Sequence, residues 1–203
     1  MKKMFIFDMD GVILDSMPYL QELAIQVMMS THSSARGFAE KEYRRTVGHP
    51  FRQQLEMISP NNSRNDSAAQ VYLGAHYAFA PLLPLAPLVQ KVLATARIEG
   101  VLLALVSSTP RTILLRTQVM ILPFTYISGW DKEMPKLIQI KHCLSDAWID
   151  PHEAIYFGDS PVDKDIAQEV RCNFVHIPEP NYLAIRVGVA LNRGDNDGSL
   201  APV

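Results

Sequence analysis

A short apolar run that ends in two aspartates constrains this chain more than any other stretch. Met4 to Phe7 is too short for a buried helix, and Asp8, Asp10 and Gly11 follow it at once. The pattern predicts a buried strand that delivers carboxylates to its carboxyl end. Because successive side chains of a strand point to opposite faces, Asp8 and Asp10 share a face and repel each other. A divalent cation would relieve that repulsion.

Length and composition are sufficient for one core that carries a smaller insertion. The chain has 203 residues, of which 48% are hydrophobic, and its formal net charge is -2. That charge provides no positive field for nucleic acid or for an anionic membrane surface. No stretch approaches the roughly 18 consecutive apolar residues of a membrane helix, and the first apolar run is too short for a signal peptide. The charge balance favours a small-molecule partner. Because Cys143 and Cys172 are isolated and lack metal-ligand spacing, we expect them to be core thiols of a cytoplasmic protein.

Two regions differ in their periodicity. Residues 16–84 show helical patterns only, including residues 38–43, 51–58 and 68–79. Beyond the prolines at 81, 84 and 87, apolar runs alternate with helical patterns. The predicted strands there are residues 101–106, 124–127, 154–157 and 173–177, and the predicted helices are residues 88–98, 111–120, 135–144 and 162–170. Such alternation predicts a parallel sheet with helices on both faces.

We therefore predict an α/β fold with a Rossmann-like core and an inserted helical cap. The core comprises residues 1–15 and 85–203, and the cap comprises residues 16–84. The tail from residue 192 to 203 is rich in Gly, Asn and Asp, and we expect it to be frayed or disordered. The sequence leaves the oligomeric state open.

Polar residues follow each of the predicted central strands. They are Asp8 and Asp10, Ser107 to Thr109, Asp131 and Lys132, and Asp159 and Asp163. Because parallel strands bind ligands at their carboxyl ends, we expect these side chains to converge on one edge of the sheet. Three aspartates form an oxygen-rich site that suits Mg²⁺. A serine hydroxyl, a lysine and the free N–H groups of a helix that begins near Pro110 would add donors for a phosphate.

In these motifs the chain resembles the haloacid dehalogenase-like superfamily, and specifically its phosphatases with a helical cap. The resemblance spans residues 4 to about 177. The motifs that carry it are Phe7-Asp8-Met9-Asp10-Gly11-Val12 with Asp15-Ser16, then Ser107, then Lys132 three residues before Pro135, and finally Gly158-Asp159-Ser160 with Asp163.

The resemblance implies a different role for each of the aspartates. Asp8 would be the nucleophile that forms an aspartyl phosphate. Asp10 would protonate the leaving alcohol and then activate water as a general base. Asp8, the backbone carbonyl of Asp10 and Asp159 would bind Mg²⁺, with Asp163 beside them. The dehalogenases of the family lack an acidic residue at the position of Asp10, so the resemblance favours a phosphatase.

The same resemblance assigns phosphate binding to a serine motif and a lysine. Ser107, with Ser108 beside it, and Lys132 would bind the oxygens of the transferring phosphoryl group. Ser107 could instead only cap the helix that follows. The lysine has a competitor, since Lys136 follows Pro135 directly. We prefer Lys132 because it keeps the spacing to Pro135, whereas Lys136 would lie inside the helix.

A break between two predicted cap helices carries Arg45, Gly48, His49 and Arg52. One interpretation is an ordinary helix junction with solvated arginines. The other is based on capped family members that place a glycine-containing turn over the active site. On that interpretation Arg45, His49 or Arg52 contacts the leaving group of the substrate. The remaining histidines, including His76, show no ligand spacing, and we expect them to be structural.

The resemblance as a whole implies Mg²⁺-dependent hydrolysis of a small phosphate monoester, such as a phosphoglycolate-like compound or a sugar phosphate. One alternative is a sugar phosphomutase similar to β-phosphoglucomutase, but such enzymes usually have Glu at the position of Gly158. Another alternative is a non-catalytic relative that binds a phosphorylated ligand, and the intact pair of Asp8 and Asp10 disfavours it.

Overall fold

The fold was obtained as a computed structural model that describes residues 3–131 and 134–192 of the chain. Its strands are β1 (Met4–Asp8), β2 (Leu102–Pro110), β3 (Tyr126–Trp130), β4 (Ala154–Gly158) and β5 (Asn173–His176). They form one sheet in the order β3-β2-β1-β4-β5, and every neighbouring pair is parallel. β1 is therefore central and buried along its whole length, which explains its continuous apolar sequence.

Helices cover both faces of this sheet. They are α5 (Val89–Ile98), α6 (Arg111–Leu114), α7 (Lys136–Ala147), α8 (Pro161–Val170) and α9 (Leu183–Asn192). The helices α1 to α4 precede them in the chain. Alternation along β1 divides the core: Phe5 and Phe7 pack with α5 and α9, whereas Met4 and Ile6 pack with α7 and α8. The predicted α/β fold with helices on both faces is confirmed.

Four helices lie between β1 and α5. They are α1 (Met17–His32), α2 (Arg36–Thr46), α3 (Phe51–Ile58) and α4 (Asn65–Phe79), and we refer to them together as the helical insertion. Their apolar faces form a core of their own, separate from the two cores that flank the sheet. In α1 the residues Leu20, Ala24 and Met28 recur at every fourth position and are buried in it.

Two segments join the helical insertion to the sheet, and they run side by side. The N–H of Asp15 donates to the carbonyl of Pro84 at 2.9 Å, and the N–H of Ala86 donates to that of Ile13 at 2.8 Å. The proposed division between core and cap, at residues 16 and 84, runs through this pair of segments. Because the helical insertion follows directly after β1, it lies above the carboxyl end of the sheet.

Besides small shifts at the ends of several helices, the structure differs from the sequence-based expectation in β2, in the predicted helix 111–120, in β3 and in α9. β2 continues to Pro110 instead of ending at residue 106, with an irregular register against β3 over its last residues. The predicted helix 111–120 is broken, because Thr117 is extended and its side chain accepts the N–H of Val119 at the start of a short 3₁₀ helix. β3 begins two residues later than predicted, and α9 was not predicted.

The predicted tail falls almost entirely outside the described residues, since the description ends with α9 at Asn192. Within residues 3–131 and 134–192, no helix combines the length and the apolar composition that crossing a bilayer would demand.

Candidate active site

Asp8 is the last residue of β1 and is only 6% exposed. Its Oδ1 accepts the N–H of Met9 at 2.7 Å, and its Oδ2 lies 3.0 Å from Nζ of Lys136. Burial raises the pKa of Asp8, and the neighbouring carboxylates raise it further, while Lys136 lowers it. The strand thus presents a buried carboxylate that needs positive charge to stay ionised.

Asp10 follows in the turn after β1 and has a hydrogen-bond donor on each carboxylate oxygen. The hydroxyl of Ser16 donates to Oδ1 at 2.7 Å, and that of Thr109 donates to Oδ2 at 2.7 Å. The turn requires Gly11, whose φ of +79° favours glycine and whose missing side chain leaves room for the carboxylate of Asp159. The glycine therefore allows the carboxylate of Asp159 to lie directly against the turn that carries Asp10.

Three carboxylates meet at the carboxyl ends of β1 and β4. Asp8, Asp159 and Asp163 each offer an oxygen within 4.8 Å of the others. Burial, followed by the charge of Asp163, raises the pKa of Asp159 to about 7. One lysine does not balance this concentration of negative charge, and carboxylate oxygens so close together suit a hard divalent cation.

The carboxylate of Asp163 already accepts four hydrogen bonds, from three residues of the protein. Its Oδ1 accepts from Nζ of Lys136 at 2.8 Å and from the hydroxyl of Tyr156 at 2.5 Å, while its Oδ2 accepts from the hydroxyl and the N–H of Ser160. Ser160 and Asp163 also form the capping box at the start of α8. Burial alone would raise the pKa of Asp163, but Lys136 and these hydrogen bonds hold it below its ordinary value. The carboxylate oxygens of Asp8 and Asp159 are consequently more available than those of Asp163 to bind a cation.

Lys136 is the lysine that the described residues place in this site. It is the first residue of α7 and is 5% exposed, with Nζ between Asp8 and Asp163. Burial opposes its charge, but the two carboxylates raise its pKa above the ordinary value. The sequence-based preference was Lys132, which lies outside the described residues. The objection that Lys136 belongs to the helix fails, because the first position of α7 faces the edge of the sheet where the carboxylates lie.

Ser107 is buried within the second half of β2, which continues three residues beyond it, and Gln139 of α7 holds its backbone. The amide of Gln139 accepts the N–H of Ser107 and donates to its carbonyl, both at 3.0 Å. The hydroxyl oxygen of Ser107 accepts the N–H of Thr109 at 2.9 Å, which leaves its proton for another acceptor. Sequence reasoning missed Gln139, although its position one turn after Lys136 places both residues on one face of α7.

Two other parts of the predicted phosphate site differ in the structure. The hydroxyl of Ser108 donates to the carbonyl of Gly48 at 2.9 Å, so it joins β2 to the helical insertion. The helix expected to begin near Pro110 is α6, which has only four residues. A helix this short has a small dipole, and we assign it no anion site.

Gly48 lies in the turn between α2 and α3 and packs against the start of α8. Its φ is +99°, and a Cβ there would lie 2.8 Å from the hydroxyl oxygen of Ser160 and 3.0 Å from Cβ of Val162. Both facts favour glycine. The turn predicted to lie over the active site therefore does contact the residues around it.

The three candidate residues beside this turn have different surroundings. Arg45 is exposed and pairs with Glu42. Arg52 lines the cavity but forms ion pairs with Glu56 and Asp66. His49 also lines the cavity, and burial followed by the charge of Lys136 lowers its pKa. Of the three, His49 is the side chain left without a carboxylate partner among the described residues.

A cavity of about 100 Å³ separates the sheet from the helical insertion. Its sheet side includes Asp8, Asp10, Asp159, Ser107 and Lys136, and its opposite side is mostly apolar and aromatic. Tyr43, Tyr72 and His76 also line it. Sequence reasoning took His76 to be structural, because nothing in its local spacing distinguishes a residue that faces a cavity from one that faces the core.

Comparisons with known proteins agree with this architecture. Residues 5–177 match the family described as haloacid dehalogenase-like hydrolase. Curated proteins give no match to the sequence. Solved structures with a similar fold include a proposed phosphoglycolate phosphatase from Lactobacillus plantarum, with 17% identity, a TM-score of 0.73, and coverage of 91% of this chain and 89% of that chain.

Two further solved structures are similar. A haloacid dehalogenase-like family hydrolase from Streptococcus pneumoniae has 20% identity and a TM-score of 0.69, with 86% of this chain and 84% of that chain covered. CbbY from Rhodobacter sphaeroides, solved in complex with phosphate, has 16% identity and a TM-score of 0.67, with 86% and 85% covered. At such identities the likeness concerns the fold alone, and it agrees with the fold described above.

Proposed function

Because this chain belongs to the haloacid dehalogenase-like hydrolases, we propose that it is a Mg²⁺-dependent phosphatase that hydrolyses a small phosphate monoester through an aspartyl phosphate. The observation that carries the proposal is that Asp8, Asp10 and Lys136 line one cavity at the carboxyl end of the sheet. Phosphoglycolate-like compounds and sugar phosphates are the first substrates to test, and the solved relatives named above support a phosphorylated ligand.

In the first step, a carboxylate oxygen of Asp8 attacks phosphorus. A bond forms between that oxygen and phosphorus, the bond between phosphorus and the leaving oxygen breaks, and Asp10 gives its proton to that oxygen. In the second step, Asp10 takes a proton from water, whose oxygen attacks phosphorus and releases Asp8. The hydroxyls of Ser16 and Thr109 hold Asp10 in both steps, since a hydroxyl donates to a carboxylate and accepts from a carboxylic acid.

We assign the active-site lysine to Lys136 in place of Lys132. Its ammonium contacts Oδ2 of Asp8 and opposes the rise in the pKa of Asp8 that burial causes, so it favours the ionised nucleophile. The same charge reduces the repulsion between Asp8 and an approaching phosphate. Asp163 holds Lys136 from the other side and is in turn held by Tyr156 and Ser160.

The donor set fits Mg²⁺, with Asp8, Asp159 and the backbone carbonyl of Asp10 as its proposed ligands. When bound, the ion would supply the positive charge that two neighbouring carboxylates and a phosphoryl group require. Asp163 would act on the site through its bond to Lys136, because its own oxygens are already occupied. Ser107 keeps a hydroxyl proton for a phosphoryl oxygen.

Gly158 supports hydrolysis over phosphoryl transfer to a sugar. A Cβ at this position would lie 2.5 Å from Cβ of Asp163, so the approach of α8 to β4 leaves no room for a side chain. The Glu that the related mutases usually have at this position would displace Asp163, and with it the partner of Lys136.

The test is phosphate release from a panel of monoesters with Mg²⁺, using Asp8→Asn and the matched control Asp15→Asn. Asp15 is exposed in the same turn, so we expect its variant to remain active and Asp8→Asn to be inactive. Isomerisation of a sugar phosphate without phosphate release would indicate a mutase. Tight binding of a monoester without turnover would indicate a non-catalytic relative.

The covalent intermediate can be tested separately with Asp10→Asn and ³²P-labelled p-nitrophenyl phosphate. p-Nitrophenolate leaves without a proton from Asp10, so label should transfer to the protein and accumulate when water is not activated. The aspartyl phosphate would be contradicted if acid-quenched Asp10→Asn protein carried no label although the unaltered protein released labelled phosphate.

A further inference from the structure

His76 carries a buried nitrogen without a partner at the cavity. It lies on α4, is 1% exposed and lines the cavity, and its Nε2 has no hydrogen-bond partner among the described residues. A buried polar atom left in this state destabilises a protein, because it has lost its hydrogen bonds to water. Such an atom at the wall of a substrate cavity is explained if the substrate supplies its partner.

Two tyrosine hydroxyls lie in the same part of the cavity. Tyr43 is 3% exposed and Tyr72 is 8% exposed, and neither hydroxyl forms a hydrogen bond with a described residue. The ring of Tyr72 lies 5.9 Å from that of His76 and stacks on Phe51 at 4.1 Å. His76 therefore belongs to an aromatic wall of the cavity whose polar side-chain atoms have no hydrogen-bond partner among the described residues.

Much of the rest of this wall is apolar. Its apolar side chains are those of Met17, Leu20, Val47, Phe51 and Leu73. Gln54 also lines it, but its amide is bonded to the hydroxyl of Thr46 and to the carbonyl of His49. The apolar side chains offer no hydrogen bond to a leaving group, so they favour one with few polar atoms.

The described part of this wall also lacks a cation that could bind a carboxylate. The guanidinium of Arg52 is held by Glu56 and Asp66. Burial lowers the pKa of His76 and of His49, which favours neutral imidazoles. A carboxylate on the leaving group would thus be desolvated without a counter-charge.

We infer that His76 is a specificity-determining residue for the leaving group, and that the substrate is the phosphate monoester of an uncharged, largely apolar alcohol with one hydrogen-bonding group that meets Nε2. This inference rests on the proposed phosphatase activity and narrows its substrate class. It disfavours phosphoglycolate-like esters, whose leaving group carries a carboxylate.

The substrate test uses two series that differ in one group. The short series is ethyl phosphate, 2-hydroxyethyl phosphate and phosphoglycolate, and the long series is benzyl, 4-(hydroxymethyl)benzyl and 4-carboxybenzyl phosphate. In the series that is hydrolysed faster, we expect kcat/KM to be highest for the hydroxyl compound and lowest for the carboxylate, by at least about tenfold. A carboxylate compound as the best substrate would overturn the inference while leaving the phosphatase intact. Failure of every ester would instead contradict the proposed function.

The residue test uses His76→Phe, which keeps the ring size and removes Nε2. We expect the ratio of kcat/KM between the hydroxyl compound and its unsubstituted ester to fall about tenfold. The matched control is His142→Phe, since His142 is exposed on α7 away from the cavity, and its ratio should not change. An unchanged ratio in folded His76→Phe would show that the imidazole is only structural.

His76→Gln separates hydrogen bonding from packing. Its amide retains a hydrogen-bonding group, so we expect it to keep part of the preference for the hydroxyl compound that His76→Phe loses. Thermal unfolding of each variant verifies that it is folded. If His76→Phe does not fold, the same ratio is measured for Tyr72→Phe and His76→Gln, and a ratio unaltered in both would overturn the inference.

Discussion

The hydroxyl of Thr109 donates to Oδ2 of Asp10 at 2.7 Å, although the two residues are 99 positions apart in the sequence. The bond joins the end of β2 to the turn after β1, and Ser16 holds the other carboxylate oxygen. Asp10 is thus oriented by one residue of β2 and by one residue at the start of the helical insertion. A residue that exchanges protons with two different oxygens needs such an orientation, since proton transfer depends on distance.

Loss of the Thr109 hydroxyl should impair proton transfer by Asp10. We expect Thr109→Val to lower kcat about tenfold, because Asp10 loses one of the two hydroxyls that orient its carboxylate for proton transfer. Thr109→Ser should restore kcat. The control is Thr95→Val, whose hydroxyl bonds within the exposed face of α5. An unaltered kcat in Thr109→Val would contradict the positioning role.

Lys136 should be required for both catalysis and stability. We expect Lys136→Met to lower kcat by roughly 10²–10³-fold, as loss of one essential charge-stabilising donor does. It should also lower the free energy of unfolding in urea by about 3 kcal/mol, because Asp8 and Asp163 lose their buried cation.

The matched control for this change is Lys141→Met on the same helix. Lys141 is exposed and lies 3.7 Å from Glu169, so its removal should alter stability by less than about 0.5 kcal/mol. Lys132→Met should retain activity. Inactive Lys132→Met beside active Lys136→Met would restore the sequence-based preference for Lys132.

Without Mg²⁺, the ionisation of Asp159 should lower the stability of the protein as the pH rises from about 4 to about 7, while the lowered pKa values of His49 and His76 act in the opposite direction. The pKa of Asp159 is raised from 3.8 to about 7 by burial and by Asp163. The folded state therefore binds more protons than the unfolded state in this range, and the free energy of unfolding falls by up to about 4 kcal/mol. Asp8, whose pKa is also raised, acts in the same direction. Asp163 has a lowered pKa, so its contribution changes only below this range.

Thermal unfolding in EDTA and in Mg²⁺ between pH 4 and pH 8 measures this dependence. Mg²⁺ should raise Tm more at pH 8 than at pH 5, because it binds the ionised carboxylates. Asp159→Asn should reduce the slope in EDTA, whereas Asp131→Asn, at an exposed position, should not. Equal slopes in the two variants would argue against Asp159 as the titrating group.

Gly48→Ala should disturb the contact between the helical insertion and the sheet. A Cβ at φ +99° and 2.8 Å from the hydroxyl oxygen of Ser160 should lower the free energy of unfolding by about 1–2 kcal/mol. It should also lower kcat/KM, since the same turn holds Ser108. Gly74→Ala is the control, because Gly74 lies in α4 with open space around it, and there alanine should stabilise by about 0.5–1 kcal/mol. Similar kinetics for the two variants would contradict a role of this turn in closing the site.

Local sequence patterns were sufficient for most of the secondary structure, and their failures have identifiable causes. The continuous apolar run of β1 and the spacing in α3 depend on burial and period, which are visible within a few residues. The predicted helix 111–120 fails because the side chain of Thr117 satisfies the N–H of Val119 in place of helical bonding. α9 was missed although Leu183 and Val187 have helical spacing and are buried against α5.

By itself the sequence determined the class of the fold and the carboxylates of the site. Alternating strands and helices require a parallel sheet, and the carboxyl ends of its strands bring Asp8, Asp10 and Asp159 together wherever the exact boundaries fall. Only the tertiary structure decided which side chains surround these carboxylates. Lys136 reaches Asp163 across 27 positions, and His76 faces the cavity because of how α4 packs. Such contacts depend on the relative placement of distant elements, which local periodicity does not encode.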